Sequence, residues 1–349
     1  MASDAPRLGG FNQNGAETCE HITSGAIYWS RGPQLYISDM LDGPIRRFAR
    51  IPRPLVRRIL AATRLGRRLG RETFYNILPL ADGGLFYTYA TEVGFISSDG
   101  HARPLGGRAR AHRVLRGGAS VLPDGSVVFG EYFDNADRVA VRLYRARPGD
   151  TEVHEVYRFA PGEVRHIHSV NWDPISRRAI VCTGDLEKEC RIIAFDIDFI
   201  NHDLWGAGSE DWRTISPQFS TTAVYFGTDA QFSPNRLMRY DRATGILSEL
   251  TQVNGPVFYS AALPGGWLFA TTAELCPSQT SPEAILYYLD AKSEAVTILA
   301  RFKKDHWPKR YFQFGILNLP LSDTPQGRMP ISGVALKRLD AKFMVLSHE

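Results

Sequence analysis

The chain has 349 residues, of which 44% are hydrophobic and 22% charged, a globular mixture that excludes disorder, collagen and coiled coil. No run of about 18 apolar residues occurs and residues 1–15 lack the pattern of a secretion signal, so we expect a cytoplasmic protein without a membrane helix. The formal net charge of +4 is too small to indicate a nucleic-acid partner, and four cysteines are too few for a disulfide scaffold.

Short runs rich in β-branched and aromatic residues recur along the chain, bounded by Gly, Pro, Asp or Asn. This pattern predicts strands. In chain order the clearest are 26–30, 34–38, 85–89, 127–130, 139–145, 154–159, 179–183, 191–195, 223–227, 267–271, 285–289 and 342–346. A spacing of about ten residues, with turns between the strands, is typical of an all-β sandwich, barrel or propeller.

A longer repeat distinguishes these folds. A strand, a tight turn, a second strand and an acidic residue recur in that order, and the acids are Glu92, Glu131, Asp185, Asp229 and Glu274. Units of about 35 to 50 residues with four strands each are propeller blades. The units 26–52, 74–104, 113–159, 165–215, 219–251, 256–301 and 310–347 predict seven blades, with six or eight as alternatives.

We therefore predict an all-β fold, a single β-propeller domain over residues 1–349, with an N-terminal extension at 1–20. The last strands are expected to pair with the first segment and close the ring, which removes exposed sheet edges.

The segment 45–71 departs from the repeat because it contains ten arginines among Leu, Ile, Val and Ala. Leu55, Ile59 and either Ala62 or Thr63 would share one helical face, which predicts a short basic helix near 52–70 inserted in the first blade region. Charge runs are usually solvated, so the favoured interpretation is a surface helix with its apolar stripe packed on the propeller. Weak contact with an anionic membrane surface or polymer is the alternative.

The densest group of chemically capable residues is at the start of the fourth unit. His166 and His168 share one face of the predicted strand, because successive side chains alternate. Two histidines at this spacing bind a metal or supply an acid and a base near neutral pH. The structural alternative is that one packs against Trp172 and bonds a backbone carbonyl, but titratable clusters in concave sites favour function.

Glu131 and Asp185 flank the histidine blade and are the next candidates. Gly130 and Gly184 precede them and allow a tight exit from each strand. Capping of the following turn is the structural alternative for both acids. The sequence lacks the nucleophile-elbow, zinc-protease, P-loop and dinucleotide motifs, so it indicates none of those enzyme classes.

Several stretches carry a family resemblance. Residues 36–43 are similar to an Asp-box, without its Thr-Trp, and residues 130–135, 165–174, 183–190 and 227–229 resemble poorly characterised bacterial propellers linked to polysaccharide metabolism. The chain thus resembles sialidase-like propellers of the Asp-box (BNR) type. The resemblance implies the scaffold of a glycoside hydrolase or polysaccharide lyase.

With this resemblance, we expect an enzyme that acts on an acidic, uronate-containing glycan in the central funnel by β-elimination. His166 or His168, with Tyr259, would move the protons, and arginines would neutralise the carboxylate. The expected substrate-binding residues are Arg165, Arg113, Arg71, Arg310, Asp229 and Glu274.

Two alternatives stay open. A glycoside hydrolase would use the carboxylates of Glu131 and Asp185. A non-catalytic propeller would bind a glycan or a protein on its rim. The expected reaction requires no cofactor, and a divalent metal ion in the channel, bound by His166 and His168, is an open alternative.

Overall fold

Seven sheets, antiparallel except for one short parallel pair, follow one another along the chain and form the blades of a β-propeller. The computed structural model describes residues 6–348 except 12, 14 and 323. In these residues the helices are few and short, so the predicted all-β propeller with seven blades is confirmed. No helix in the described ranges is long and apolar enough to cross a membrane.

The strands are named here in chain order. The first, β1 (Arg7–Phe11), belongs to the last blade. The first blade contains β2 (Thr18–Ile22), β3 (Ile27–Arg31), β4 (Gln34–Ser38) and β5 (Arg46–Arg50). The second contains β6 (Phe74–Pro79), β7 (Leu85–Tyr89), β8 (Glu92–Ile96) and β9 (Ala102–Pro104). The third contains β10 (Ala119–Val121), β11 (Val127–Gly130), β12 (Val141–Ala146) and β13 (His154–Phe159).

The fourth blade contains β14 (His166–Asp173), β15 (Arg178–Gly184), β16 (Arg191–Phe195) and β17 (His202–Ala207). The fifth contains β18 (Gln218–Phe219), β19 (Ala223–Gly227), β20 (Arg236–Asp241) and β21 (Leu247–Gln252). The sixth contains β22 (Val257–Leu263), β23 (Gly266–Thr271), β24 (Glu283–Asp290) and β25 (Val296–Lys303). The seventh contains β26 (Ile316–Asn318), β28 (Arg328–Val334) and β29 (Phe343–Ser347), while β27 (Leu321–Ser322) pairs with β2.

The helices are α1 (Leu55–Ala62), α2 (Arg64–Gly70) and α3 (Lys309–Phe312), with single 3₁₀ turns at Glu187–Glu189 and Glu210–Trp212.

The ring closes through the N-terminal strand. β1 pairs antiparallel with β29, from Arg7 opposite Ser347 to Phe11 opposite Phe343, and becomes the outer strand of the seventh blade. The predicted pairing of the last strands with the first segment is therefore confirmed. The segment 1–20 was expected to precede the propeller, but β1 and the start of β2 lie within it.

Apolar side chains fill the space between neighbouring blades. Val128 of the third blade and Ile167 and Val181 of the fourth belong to one buried cluster, and equivalent clusters join the other blades. Because both faces of each sheet are covered, the inner strands are nearly continuous apolar runs. In β15, residues 179–184 are all buried.

The arginine-rich insertion is helical as predicted, but its orientation is the reverse of the favoured interpretation. Leu55, Val56 and Ile59 are 64–70% exposed, whereas Arg67 and Arg68 are buried. Arg68 Nη1 donates to Asp305 Oδ2 at 2.6 Å, and Arg67 pairs with the carboxylate of Glu17. The prediction that the apolar stripe packs on the propeller is wrong, because buried ion pairs attach the insertion instead.

Candidate functional site in the central channel

Antiparallel pairing brings two kinds of segment to one face of the ring. His166 at the start of β14 is opposite Gly184 at the end of β15. The acids that follow second strands therefore lie beside the residues that enter innermost strands, as the repeat predicted. A cavity of about 210 Å³ opens there, and five predicted site residues line it: Arg71, Arg113, Asp229, Tyr259 and Glu274.

Arg71 and Arg113 form an arginine pair beside this cavity. Both are half-buried, and among the described residues neither guanidinium has an ion-pair or hydrogen-bond partner. Burial lowers the pKa of Arg71, and the charge of Arg113 lowers it further. Two half-buried guanidinium groups that pair with no carboxylate of the described chain form a site for an anion, since Arg binds carboxylate and phosphate with two donors.

The helical insertion positions Arg71, the residue that ends α2. Its backbone has a φ of 53°, in the left-handed region. A residue with a side chain rarely adopts this conformation, and such strain often occurs at functional sites. The segment with the unusual arginine content therefore leads directly into the channel.

Asp229 and Glu274 form an acidic pair in the same cavity. Burial raises the pKa of Asp229 to about 7, against the opposing effect of Arg213, and the charges of Glu274 and Asp185 raise it further. Burial also raises the pKa of Glu274. Asp229 is thus poised to carry a proton near neutral pH, as a general acid requires.

Arg213 connects the acidic pair to the histidines. Its Nη2 lies 2.9 Å from Asp185 Oδ1 and 3.1 Å from Asp229 Oδ2. Burial opposes ionisation of Asp185, but the neighbouring positive charge of Arg213 outweighs burial and helps to hold its pKa well below the usual range. Of two carboxylates that share one guanidinium, Asp185 is ionised and Asp229 is the better proton carrier.

His166, His168 and Asp185 form a compact cluster behind the cavity wall. The two Nε2 atoms are 3.1 Å apart, and Asp185 Oδ1 is 3.1 Å from that of His166 and 3.3 Å from that of His168. Both histidines are buried, and the Tyr132 ring, which lines the cavity, lies 4.3 Å from the His166 ring. Burial lowers the pKa of His168 to about 4, so its imidazole is neutral.

Gly184 makes room for this cluster. A Cβ atom at that position would lie 2.6 Å from His168 Cε1, closer than side chains approach. The close approach of the imidazole therefore requires a glycine at this position. Gly130 is required in the same way by Ile167, because a Cβ atom at residue 130 would lie 2.4 Å from Ile167 Cγ2.

The remaining predicted residues lie elsewhere. Arg165 Nη1 contacts Asp185 Oδ2 at 3.1 Å and Nη2 contacts Asp134 at 2.6 Å, so Arg165 supports the cluster from outside the cavity lining. Arg310 lies in α3, with its guanidinium 5.6 Å from the Tyr311 ring, and it does not line the cavity.

Glu131 is fully buried and serves as an acceptor. Its Oε2 accepts the backbone N–H of Arg142 at 3.0 Å, and its Oε1 accepts the Tyr144 hydroxyl at 3.1 Å. It does not line the cavity, and both partners lie on β12, so its role is structural but differs from the predicted capping of the turn that follows it. The hydrolase pairing of Glu131 with Asp185 therefore has no common cavity.

Sequence reasoning missed Arg213 and Tyr132. Arg213 precedes β18, in a segment that enters an innermost strand, so the rule that selected Arg71 and Arg113 also applies to it. Tyr132 directly follows Glu131 and pairs through its backbone with Arg113.

No protein-family model matches the chain, and no curated protein matches it. Solved structures are similar in fold. Virginiamycin B lyase from Staphylococcus aureus has a TM-score of 0.64 at 13% identity, over 98% of this chain and 99% of that one. Puromycin hydrolase has a TM-score of 0.54 at 16% identity, over 94% of this chain and 53% of that one. The WD40 domain of Neurospora crassa Pan2 has a TM-score of 0.55 at 10% identity, over 99% of this chain and 90% of that one. At these identities the likeness establishes the propeller fold alone, without the sialidase-like subfamily or the link to polysaccharides.

Proposed function

We propose that the protein is a lyase that takes a small anionic unit, such as the terminal uronate of an oligosaccharide, into the channel cavity. The observation that carries the proposal is the arginine pair, Arg71 and Arg113, in one cavity with Asp229 and Glu274. The cavity of about 210 Å³ is smaller than the roughly 300–1,000 Å³ of pockets for drug-sized ligands. It therefore suits one terminal sugar unit better than an internal segment of a polymer.

The proposed reaction is a β-elimination. The arginine pair neutralises the substrate carboxylate and so acidifies the adjacent C–H bond. Glu274 takes that proton, the C–H electron pair forms the C=C bond, and the bond to the leaving oxygen breaks. Asp229 gives its proton to that oxygen. All charges are supplied by the chain itself, and no redox step is needed.

This assignment moves the proton transfers away from the histidines. Neither His166 nor His168 is among the residues that line the cavity, whereas the acidic pair is. Burial raises the pKa of Tyr259, so its phenol is a hydrogen-bond donor to the substrate. The lyase class gains support from the fold neighbours virginiamycin B lyase and streptogramin B lyase, and the glycan class from the Asp-box resemblance.

The arginine pair is the first target for mutation. Arg71→Ala and Arg113→Ala should each lower kcat/KM by about 100-fold, the usual cost of losing one donor to developing charge. The measurement is the ultraviolet absorbance of the new conjugated double bond during incubation with a panel of uronate-containing oligosaccharides. Arg310→Ala is the matched control, because this arginine lies outside the cavity.

Each other outcome is informative. The appearance of new reducing ends without this absorbance would show that the reaction is hydrolysis, with Asp229 and Glu274 as the two carboxylates, and not elimination. Binding of an oligosaccharide without turnover would indicate a binding protein and not an enzyme. Arg310→Ala losing as much activity as Arg71→Ala would contradict the assignment of the arginine pair.

A further inference from the structure

Three potential metal-ligand atoms converge in the fourth blade: Nε2 of His166, Nε2 of His168 and Oδ1 of Asp185. We propose that this cluster binds one divalent transition-metal ion of the zinc class, with a fourth coordination position left for water. The proposal does not rest on the lyase reaction, because it follows from the geometry of the three ligand atoms alone.

The hydrogen bonds of the two imidazoles determine which nitrogen is free. His166 Nδ1 lies 3.2 Å from the carbonyl oxygen of Phe133, and His168 Nδ1 lies 3.2 Å from that of Thr214. A carbonyl oxygen only accepts hydrogen bonds, so both Nδ1 atoms carry the proton. An imidazole whose single proton is on Nδ1 has its lone pair on Nε2, and both Nε2 atoms point into the cluster.

The distances between the ligand atoms fit a metal ion. The three separations are 3.1, 3.1 and 3.3 Å. In a tetrahedral zinc site with bonds of about 2.0–2.2 Å, neighbouring ligand atoms are about 3.3 Å apart. Three electron pairs at this separation repel one another unless a cation lies between them. A single proton bridges only one pair of these atoms, whereas a metal ion binds all three.

The surroundings match those of known metal sites. Metal-binding histidines commonly donate their other ring N–H to a backbone carbonyl, as both do here. The carboxylate is oriented by Arg165, 3.1 Å from Oδ2, and by Arg213, 2.9 Å from Oδ1. Two imidazoles and one carboxylate favour zinc, nickel or copper over magnesium or calcium, which prefer oxygen ligands.

An access route for the ion is present on the outer side of the cluster. Asp185 lines a second cavity of about 580 Å³, together with Leu186, Glu189 and Phe232. Its side chain is 15% exposed, while the histidine side chains are 4% and 1% exposed. The carboxylate is thus the ligand that an incoming ion would meet first.

The test uses the full chain, first treated with a chelator. Calorimetric titration with Zn²⁺ should give one equivalent per chain, and Co²⁺ should give the visible absorption of a tetrahedral complex. His166→Gln, His168→Gln and Asp185→Asn should each weaken Zn²⁺ binding at least tenfold, the usual lower range for a lost metal contact. His112→Gln is the matched control, because His112 is also buried with its Nδ1 on a carbonyl, 3.0 Å from that of Arg113.

Two results would overturn the proposal. One is absence of Zn²⁺ and Co²⁺ binding by the wild-type chain in its folded state, which circular dichroism checks. The other is binding that His166→Gln and His112→Gln weaken equally. The Co²⁺ spectrum of the wild type decides the question even where a variant fails to fold. Because no readout uses turnover, a failed lyase assay leaves this test unaffected.

Discussion

Asp185 and Asp229 show how one arginine gives two like residues opposite properties. Both contact Arg213 Nη2, at 2.9 and 3.1 Å. Asp185 also contacts the guanidinium of Arg165 at 3.1 Å, whereas Asp229 is more deeply buried and faces Glu274. Burial without enough compensating charge favours the protonated acid, and so the two pKa values diverge.

Asp229 should confer a pH dependence on the reaction. Because its pKa is raised to about 7, the proton it donates is lost as the pH rises through 7, and kcat should fall there. Asp229→Asn should lower kcat by about 100-fold or more and remove this descending limb. The measurement is kcat against pH for both proteins, and an unchanged limb in the variant would assign it to another group.

The raised pKa of Asp229 also makes the free energy of unfolding depend on pH. The pKa of Asp229 in the folded state, about 7, lies above the ordinary value of 3.8, so the folded state binds the extra proton between these pH values. Stability therefore falls as the pH rises from about 4 to 7, by up to about 4 kcal/mol. Arg213, Glu274 and Asp185 are the charged groups that face this carboxyl. Urea unfolding at several pH values should show the effect in the wild type and less of it in Asp229→Asn.

The helices α1 and α2 are attached by charge rather than by their apolar residues. Arg68 is buried and pairs with Asp305 at 2.6 Å, while Arg64 Nη2 contacts Asp340 at 2.7 Å. These acids are distant in sequence: Asp305 precedes the seventh blade, and Asp340 lies between its strands β28 and β29. The insertion therefore links the first blade to the last and ends at Arg71 in the channel.

This arrangement predicts an inverted pattern of mutational cost. Leu55→Ser with Ile59→Ser should change the free energy of unfolding by no more than about 0.5 kcal/mol, because both side chains are exposed. Arg68→Ala should cost about 1–3 kcal/mol, because it removes the bonds of this buried guanidinium to Asp305 and to the carbonyl oxygen of Phe312. Urea unfolding measures both, and a larger cost for the Leu55 and Ile59 double variant would contradict the orientation of α1.

At the scale of the whole ring, closure depends on a strand from the opposite end of the chain. β1 pairs with β29 over five residues, and Phe11 packs against Trp29 and Phe343. The seventh blade thus contains strands from both ends of the chain. An unpaired β29 would present an open edge for association with other chains.

Removal of residues 1–11 should therefore lower the Tm and increase aggregation, because it deletes β1. Differential scanning calorimetry and light scattering measure the two effects. Removal of residues 1–5 is the control, since it leaves every paired residue of β1 in place. Equal Tm values for both truncations would show that the closing strand contributes little to stability.

Much of the fold is readable from short stretches of the chain. Alternation and turn residues are local, so the strands 85–89, 127–130, 154–159, 191–195 and 223–227 were predicted with the bounds that the structure has. The repeated acid identified the face on which candidate residues gather, and five of them do line one cavity.

The sequence by itself determined the propeller fold, with seven blades favoured over six or eight, and that face, because strand periodicity and turn chemistry act over a few residues. Only the tertiary structure decided which acids reach the cavity: Glu131 and Asp229 both follow second strands, yet one bonds Arg142 and Tyr144 inside its blade and the other faces the channel. It also decided that Arg68 would be buried and Leu55 exposed, since the partner Asp305 is 237 residues away. The environment of a charge depends on contacts between distant segments, and no local pattern in the chain records them.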